Sequence, residues 1–406
     1  MVDGVAASSG GASSSLRCPA CQCHCGTCPD CQECPAEKEC PAAPAPAASC
    51  SPQAAAPPLT SSAAAAWSTP VGKTLVVLVT ARDDNTNANS HDYRMKNLDF
   101  FLRQALLPQD PNFHFVIVVQ GQWPERRGAL EGAAKWAREK GVGNVQVIFR
   151  QNVGFDFCAW RRVLDGSIKL FGGKSGTEAR DAKDFSFFVL LNGSVRGPLL
   201  PSYWPRASVE GAPRWPRMFT DKLVGNTRLV GTSVNCAGSR LHLQSMTLAV
   251  GADDRQFFVD NCACAADKND AVGNEYDISQ AFLNAGKNLG AMQLGFRDHN
   301  FLDRDGTNQK CAVWGLGSED RYYPPGTYMG GVGDGAQVTF NPLEMVLFKN
   351  NRNVMPQFVD AYSTWQLGSI PSEVPEEALS QPAVGPDPPL DDRRRELFGI
   401  GYHESD

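Results

Sequence analysis

Long apolar runs and blocks of positive charge are both missing from this sequence of 406 residues. No stretch reaches the roughly 18 to 20 apolar residues that a membrane helix needs. Charged residues make up 20% of the chain and the formal net charge is −6, so the basic surface of a nucleic-acid-binding protein is not expected. The residues after Met1 lack the charged leader and apolar core of a signal peptide. As written, the sequence predicts a soluble protein, although the loss of an anchoring exon would leave the same pattern.

Residues 1–70 have few large apolar side chains and consist mainly of Ala, Ser, Pro and Cys. Such a segment cannot bury enough surface to offset its conformational entropy, so we predict that it is disordered. Its nine cysteines are Cys18, Cys21, Cys23, Cys25, Cys28, Cys31, Cys34, Cys40 and Cys50. They could form a metallothionein-like thiolate cluster, a disulfide-tied stalk or merely a biased linker. Their odd number favours the stalk, because one leftover thiol could join two copies of the chain into a disulfide-linked homodimer.

Apolar runs alternate with helical patterns from residue 71 to residue 365, which predicts one α/β domain with a mostly parallel central sheet. Strands are predicted at Thr74–Thr80, Phe113–Val119, Val145–Phe149, Phe187–Leu191, Leu229–Ser233 and Leu241–Val250. Helices are predicted at Arg94–Leu107, Ala129–Lys140, Phe157–Leu164 and Asn274–Gly286. Proline and acidic residues dominate residues 366–406, which we predict to be a disordered tail.

The fourth strand, Phe187–Leu191, is a continuous apolar run of the kind that is buried on both faces of a parallel sheet. It is followed by Asn192, Gly193 and Ser194. Ligands of open α/β sheets bind beyond the carboxyl ends of such strands, at a topological switch point. These small polar residues therefore mark a candidate site, and an ordinary turn after a buried strand is the alternative.

A second polar turn follows the third strand, in the stretch RQNVGFDFCAW at residues 150–160. Asn152 and Gly154 predict a tight turn in which the backbone can approach a ligand closely. Asp156 comes at the start of a helix, where the helix dipole stabilises a carboxylate. Asp156 is thus a candidate ligand residue, or else it only caps its helix.

Four polar residues stand out in the second half of the chain. His242 and Gln244 lie in a predicted strand, where a single histidine is usually packed and hydrogen-bonded. Glu275 and Asp277 lie in the first turn of a predicted helix. They either complement the helix dipole or provide a catalytic carboxylate.

Six stretches occur in an order that resembles a known family, and each has the expected strand or helix context. They are NVGFDFCAW, LLNGSVRGP, LVGTSVNC, HLQSM, an acid four residues before Ser279, and NPLEMVLFKNNR. Together they resemble the rhamnan-synthesis F-like glycosyltransferases, which have relatives in bacteria, plants, algae and fungi. The resemblance covers residues 73 to 352. It implies a three-layer α/β/α sandwich of the A-type nucleotide-sugar transferase fold, whose amino-terminal half binds a nucleoside diphosphate-sugar.

By this resemblance, the end of the fourth strand corresponds to the acidic DxD site that holds a divalent cation on the diphosphate. Family members often have an acid where this chain has Gly193, so that Asn192 and Ser194 remain as neutral ligands. Mg²⁺ or Mn²⁺ normally requires a carboxylate in addition to substrate phosphates. Either Asp156 supplies that charge, or Arg196 neutralises the diphosphate without metal, or the activity is lost.

The resemblance also implies roles for the other candidates. Glu275 matches the position of the family acid that deprotonates the acceptor hydroxyl, and Asp277 is the second candidate. An inverting reaction is expected from the family alone. The implied donor-side residues are Thr80, Asn152, Gly154, Asp156 and Arg196. His242 and Gln244 are implied on the acceptor side.

Two functions of different classes follow from these observations. The first is a glycosyltransferase that moves a sugar from a nucleotide-sugar to a glycan or glycoconjugate. The alternative is a non-catalytic scaffold of the same fold that binds a glycan or a nucleotide-sugar, which the glycine at position 193 makes plausible. A metal-buffering protein based on the cysteine cluster would leave the ordered domain unexplained.

The cysteines of the domain bear on the cellular location. Cys236, Cys262, Cys264 and Cys311 could form two bridges, and a cysteine-rich stalk fits an oxidising secretory lumen. Glycosyltransferases with this layout are commonly Golgi proteins held by one amino-terminal helix. We therefore expect a membrane protein of the Golgi or secretory pathway whose anchor is absent from this sequence, with a cytoplasmic protein as the alternative.

Overall fold

The structure is a computed structural model that describes residues 72–81, 88–140, 143–171, 180–201, 214–235, 241–313, 342–349 and 356–385. The cysteine-rich segment 1–70 and its predicted disorder lie outside the described residues. Within the described ranges, no helix is long and apolar enough to cross a membrane.

The strands run from the first described residues to the last third of the chain. In chain order they are β1 (Thr74–Ala81), β2 (Phe113–Gln120), β3 (Val145–Arg150), β4 (Phe187–Asn192), β5 (Val195–Arg196), β6 (Thr227–Gly231), β7 (Val234–Asn235), β8 (His242–Leu243), β9 (Thr247–Gly251), β10 (Asn288–Ala291) and β11 (Phe348–Lys349). The predicted strand at residues 241–250 is in fact two strands, β8 and β9. The chain breaks between them because the backbone there bonds outside the sheet, with the Gln244 amide donating to the Ser233 carbonyl.

The helices lie between the strands and after them. In chain order they are α1 (Ala88–Gln104), α2 (Pro124–Glu139), α3 (Phe155–Leu164), α4 (Arg217–Thr220), α5 (Ala252–Asp260), α6 (Lys268–Asn284), α7 (Arg304–Val313), α8 (Pro342–Met345), α9 (Pro356–Ser369) and α10 (Glu376–Leu379). Helix α6 begins two turns earlier than predicted. The Asp267 side chain caps it by accepting hydrogen bonds from the backbone amides of Asn269 and Asp270.

Seven strands form one sheet in the order β10-β6-β9-β4-β1-β2-β3. Only β9 runs antiparallel to its neighbours, β4 and β6, so the prediction of an α/β domain with a mostly parallel sheet is confirmed. The chain adds β2 and β3 on one side of β1 and then returns to place β4 on the other side. The carboxyl ends of β1 and β4 therefore flank a topological switch point.

Successive residues of β1 contribute to two different apolar clusters. Leu75, Val77 and Val79 pack with residues of α3, α5 and α6, whereas Val76 and Leu78 pack with residues of α1, α2, α9 and α10. Because the side chains of a strand alternate between its faces, the two clusters lie on opposite faces of the sheet. Burial on both faces explains why β1, β2 and β4 are continuous apolar runs.

Ordered structure continues past residue 365, where a disordered tail was predicted. Val374, Ala378 and Leu379 are buried in the same apolar cluster as α1 and α2. Arg103 of α1 forms an ion pair with Glu376 of α10. This packing is hard to predict from the sequence, because the buried residues are few and lie among exposed polar ones. Residues 386–406 of the predicted tail lie outside the described residues.

The contact between α2 and α10 depends on a glycine, which leads to a stability prediction. A Cβ atom at Gly132 would lie 1.8 Å from the carbonyl oxygen of Ala378. Gly132→Ala should therefore lower the free energy of unfolding by about 1–3 kcal/mol, despite the better helix propensity of alanine. Urea denaturation would measure this change in the free energy of unfolding. Limited proteolysis should cleave the C-terminal segment sooner in the variant than in the unmutated protein.

Gly273 of α6 provides the matched control. Nothing lies within 4 Å of a Cβ atom built at this helical glycine. Gly273→Ala should raise the free energy of unfolding by about 0.4–1 kcal/mol. Equal effects of the two substitutions would contradict the proposed contact with α10.

Candidate functional site

The ends of β4 and β1 approach each other very closely. The Gly193 amide donates to the Val79 carbonyl at 2.8 Å. A Cβ atom at Gly193 would lie 2.5 Å from Thr80 Oγ1 and 3.3 Å from Thr80 Cα. Thr80 is buried, and its hydroxyl has no hydrogen-bond partner among the described atoms. The residue at position 193 therefore has no space for a side chain, and an aspartate there would point at β1 unless the backbone moved.

Asn192 links the end of β4 to the turn after β3. Its Nδ2 donates to Asp156 Oδ2 at 3.0 Å. Its Oδ1 accepts from the backbone amide of Ser194 at 3.1 Å and from the Ser194 hydroxyl at 2.5 Å. Three predicted residues are thus brought together, and the amide oxygen of Asn192 uses both of its lone pairs within the protein.

Two consecutive residues with positive φ place Asp156. Gly154 has φ 76° and Phe155 has φ 57°, and the Phe155 carbonyl accepts a hydrogen bond from Gln120 Nε2 at 2.8 Å. A positive φ is uncommon for a residue with a Cβ atom, and such strain occurs often at functional sites. Asn152, which precedes this turn, is exposed.

A disulfide bond joins the start of α3 to the segment before α6. It links Cys158 to Cys264, and a Cβ atom at Gly154 would lie 2.8 Å from the Cys158 sulfur. The expectation that Cys236, Cys262, Cys264 and Cys311 form two bridges is therefore wrong, because Cys264 pairs with Cys158 and Cys262 is a free thiol. Cys262 is a buried free thiol whose pKa is raised by that burial. The side chains of Cys236 and Cys311 lie outside the described part of the chain.

Glu275 reaches the same edge of the sheet from α6. It is buried, and its carboxylate accepts a hydrogen bond from the Ser245 amide at 2.5 Å. Ser245 lies just before β9, whose first residue, Thr247, pairs with Leu191 at the end of β4. Since α6 begins at Lys268, Glu275 is two turns into the helix, and the interpretation that it complements the helix dipole is wrong.

Asp277 lies on the opposite side of α6 from Glu275. It is exposed, whereas Glu275 is 6% exposed. A separation of two residues turns side chains about 200° apart around a helix, so only one of the two acids can face the sheet. The structure does not bring Asp277 to the edge where Asp156 and Asn192 lie.

We call Thr80, Asp156, Asn192, Ser194 and Glu275 the strand-end cluster. Burial raises the pKa of the Asp156 carboxyl above its ordinary value of 3.8, and the hydrogen bond from Asn192 opposes that rise. The charge of Glu275 raises the same pKa further, while the charge of Lys349 lowers it. A partly buried carboxylate whose pKa is shifted by burial and by a second acid is typical of a functional site.

Arg196 is turned away from the strand-end cluster. Its Nε donates to Asn97 Oδ1 at 2.7 Å, and its Nη1 lies 3.3 Å from the Ser363 hydroxyl and 3.4 Å from Asp360 Oδ1. Asn97 in turn donates to the Gly193 carbonyl at 3.0 Å. The buried guanidinium therefore supports the backbone at the end of β4, and these contacts do not place it against a ligand.

The two residues predicted on the acceptor side point into the protein. The His242 ring packs edge-on against Tyr276, with the ring centres 4.4 Å apart. Gln244 is fully buried, and its Oε1 accepts from the Ser233 hydroxyl at 2.5 Å. Neither residue presents a polar group at a surface that an acceptor could reach.

Lys349 is a candidate that the sequence analysis missed. It lies on β11, opposite Val195 of β5, and is 8% exposed. Its one sequence signal is a lysine at the end of the apolar run MVLF, in the stretch NPLEMVLFKNNR. Only the tertiary structure brings its charge close enough to act on Asp156.

The predicted metal ligands offer little charge for a divalent cation. Asp156 is the one carboxylate of the predicted set, Asn192 Oδ1 is already bound to Ser194, and position 193 has no space for an acid. No group of three or more His, Cys, Asp or Glu side chains with the geometry of a metal site occurs in the described ranges. We therefore derive no step that passes through a metal ion.

Comparisons with known proteins do not assign this geometry to a family. No protein-family model matches the chain, and no curated protein matches its sequence. The site is interpreted below from its own residues.

The raised pKa of Asp156 predicts how its replacement changes stability. The folded protein holds the proton of Asp156 more tightly than the unfolded chain, so folding stability falls as the pH rises from 3.8 through the folded-state pKa. Asp156→Asn removes this loss of folding stability. Across the same pH window, the melting temperature of the variant should therefore rise relative to that of the unmutated protein. Differential scanning fluorimetry from pH 3.5 to 8 would measure it. A relative melting temperature that falls as the pH rises would contradict the raised pKa.

The close approach at Gly193 predicts a coupling with Thr80. Gly193→Ala should lower the free energy of unfolding by about 1–3 kcal/mol, because the new methyl group meets the Thr80 side chain. In a Thr80→Ala background, the hydroxyl is gone and the cost should be smaller. A double-mutant cycle from urea denaturation measures the interaction. Additive effects would show that the two residues are not in contact.

Proposed function

We propose that this protein is a glycosyltransferase that moves a sugar from a nucleotide-sugar donor to a glycan or glycoconjugate acceptor. The observation that carries the proposal is that Asp156 and Glu275 both lie at the edge of the sheet where β4 ends, near enough for the charge of Glu275 to act on Asp156. These acids come from different halves of the chain and lie beside a topological switch point, where open α/β sheets bind ligands.

The arrangement of the apolar clusters supports the same proposal. Helices that contribute to clusters on both faces of the sheet fit a three-layer α/β/α sandwich of the A-type transferase fold. In that arrangement the half from β1 to α3 forms the donor side and carries Thr80 and Asp156. Glu275 comes from the half that forms the acceptor side.

The proposed reaction uses Glu275 as the general base. Its carboxylate takes the proton from the acceptor hydroxyl, whose oxygen then forms a bond to the anomeric carbon of the donor sugar. The bond between that carbon and the diphosphate oxygen breaks, and the nucleoside diphosphate leaves with the electron pair. The backbone amide of Ser245 holds the Glu275 carboxylate in place. Asp156 accepts hydrogen bonds from donor hydroxyl groups, with Asn192 fixing its orientation.

A non-catalytic scaffold that binds a nucleotide-sugar or a glycan is the second candidate function. The observation that favours it is the absence of an acid at position 193, together with the bonds that occupy Asn192. A scaffold would keep donor binding but would not transfer or hydrolyse the sugar. The two functions are therefore separated by turnover.

We also propose that the protein acts in an oxidising compartment such as the secretory pathway. The Cys158–Cys264 disulfide supports this location, because stable disulfides form mainly in secreted and luminal proteins. A Golgi position with an amino-terminal anchor is the specific form of this proposal.

Nucleotide-sugar binding and turnover test the proposed function. A thermal-shift panel of UDP-, GDP- and dTDP-sugars should identify a stabilising donor, and the unmutated protein should hydrolyse that donor slowly. Glu275→Gln should keep donor binding and lower turnover by about 10²- to 10⁴-fold, the usual contribution of a general base. Asp277→Asn, two residues away on the exposed side of α6, is the comparison.

The outcomes of this test point to different conclusions. Loss of turnover in Asp277→Asn but not in Glu275→Gln would move the role of base to Asp277. Binding without any turnover would favour the scaffold. If no nucleotide-sugar raises the melting temperature, both proposed functions are wrong.

A further inference from the structure

A nucleoside diphosphate bound at the strand-end cluster would meet an excess of negative charge. Asp156 and Glu275 are both acids, while Thr80, Asn192 and Ser194 are neutral. Phosphate binding in proteins needs cationic groups, backbone amides or metal ions to balance its charge. The predicted metal ligands include a single carboxylate, and Arg196 is held by Asn97, Ser363 and Asp360. A further positive group at this edge would balance the charge of the diphosphate.

Lys349 is a cation close to the cluster. In the antiparallel pair of β5 and β11 it lies opposite Val195, the residue that follows Ser194. The side chain is almost completely buried, and its charge acts on the Asp156 carboxyl against the effect of burial. Removing an ammonium group from water is costly, so a buried lysine is held by charged or polar groups around it.

The fold holds the backbone of this lysine in place. The residues directly before it, from Met345 to Phe348, are fully buried in the apolar cluster shared with α1 and α2. The backbone of β11 is hydrogen-bonded to β5, which is itself continuous with the turn that carries Ser194. A charge held in advance at the place where negative charge develops stabilises a transition state without further reorganisation.

We propose that the ammonium group of Lys349 binds the donor diphosphate directly, so that the site works without a divalent cation. This inference rests on the proposed function and specifies how its donor is held. When the bond to the anomeric carbon breaks, the leaving diphosphate gains a negative charge, and the Lys349 ammonium balances it while keeping its own proton. Asp156, on whose carboxyl the charge of Lys349 acts, keeps its proposed contact with the donor hydroxyl groups.

Binding of UDP and GDP in EDTA tests the proposal by isothermal titration calorimetry. The unmutated protein should bind one of them equally well in EDTA and in Mn²⁺. Lys349→Met keeps a similar side-chain length without charge, and it should weaken diphosphate binding about 10- to 100-fold, as expected for loss of a hydrogen bond to a charged group. Lys349→Arg should retain most of the affinity. Binding of the nucleoside alone, uridine or guanosine, should be the same in all three proteins.

Each of the other possible results of this binding experiment contradicts one specific part of the proposal. If EDTA abolishes binding, or if Lys349→Met binds the diphosphate as the unmutated protein does, the role of Lys349 is wrong while the proposed function stands. If Lys349→Met weakens the nucleoside and the diphosphate equally, the lysine only supports the fold. If Lys349→Met does not fold, the comparison of binding in EDTA and in Mn²⁺, together with the affinity of Lys349→Arg, still tests the role of Lys349. If the unmutated protein binds neither nucleotide, the proposed function fails together with this inference.

Discussion

The close approach of β4 to β1 is the constraint on which the geometry of the site depends. Because no side chain fits at Gly193, the turn after β4 can bring its amide to the Val79 carbonyl and its carbonyl to Asn97. That turn directs Asn192 toward Asp156. The same lack of space prevents an acid at position 193, so the site gains its carboxylates from α3 and α6 instead. The lack of space at Gly193 thus explains why helices, and not the turn after β4, carry the carboxylates.

The sheet could be predicted from the sequence because its strands are buried on both faces. The apolar runs of β1, β2 and β4 can be recognised without knowledge of their tertiary contacts, and the polar residues after them mark the edge where sheets of this kind bind ligands. The start of α6 could not be placed as reliably. Its first two turns are polar and contain Gly273, and only the Asp267 cap identifies them. Packing of the chain after residue 365 was missed because it depends on tertiary contacts of a few residues.

Site residues could be predicted from the sequence only where their position at a strand end determines which edge of the sheet they occupy. Asp156 comes after β3 and Asn192 ends β4, so a parallel sheet places both at its carboxyl edge, although β1 and β2 lie between the two strands. Arg196 and Gln244 have equally suggestive positions, yet their side chains turn inward to satisfy buried partners. Lys349 lies in the stretch NPLEMVLFKNNR, but that stretch did not indicate a role for it, since its neighbours on β5 are more than 150 residues earlier in the chain. Side-chain direction beyond a strand end depends on long-range packing, which sequence pattern does not contain.

The Cys158–Cys264 disulfide has a mechanical consequence for this protein. It closes a loop of 106 residues and fastens the turn that carries Asp156 to the segment that leads into the helix of Glu275. Domain closure around a ligand usually works through hinges between the parts that hold it. A covalent link between the start of α3 and the segment before α6 limits how far these two parts can move apart. Under the proposed function, opening of the site would then take place in other segments of the chain.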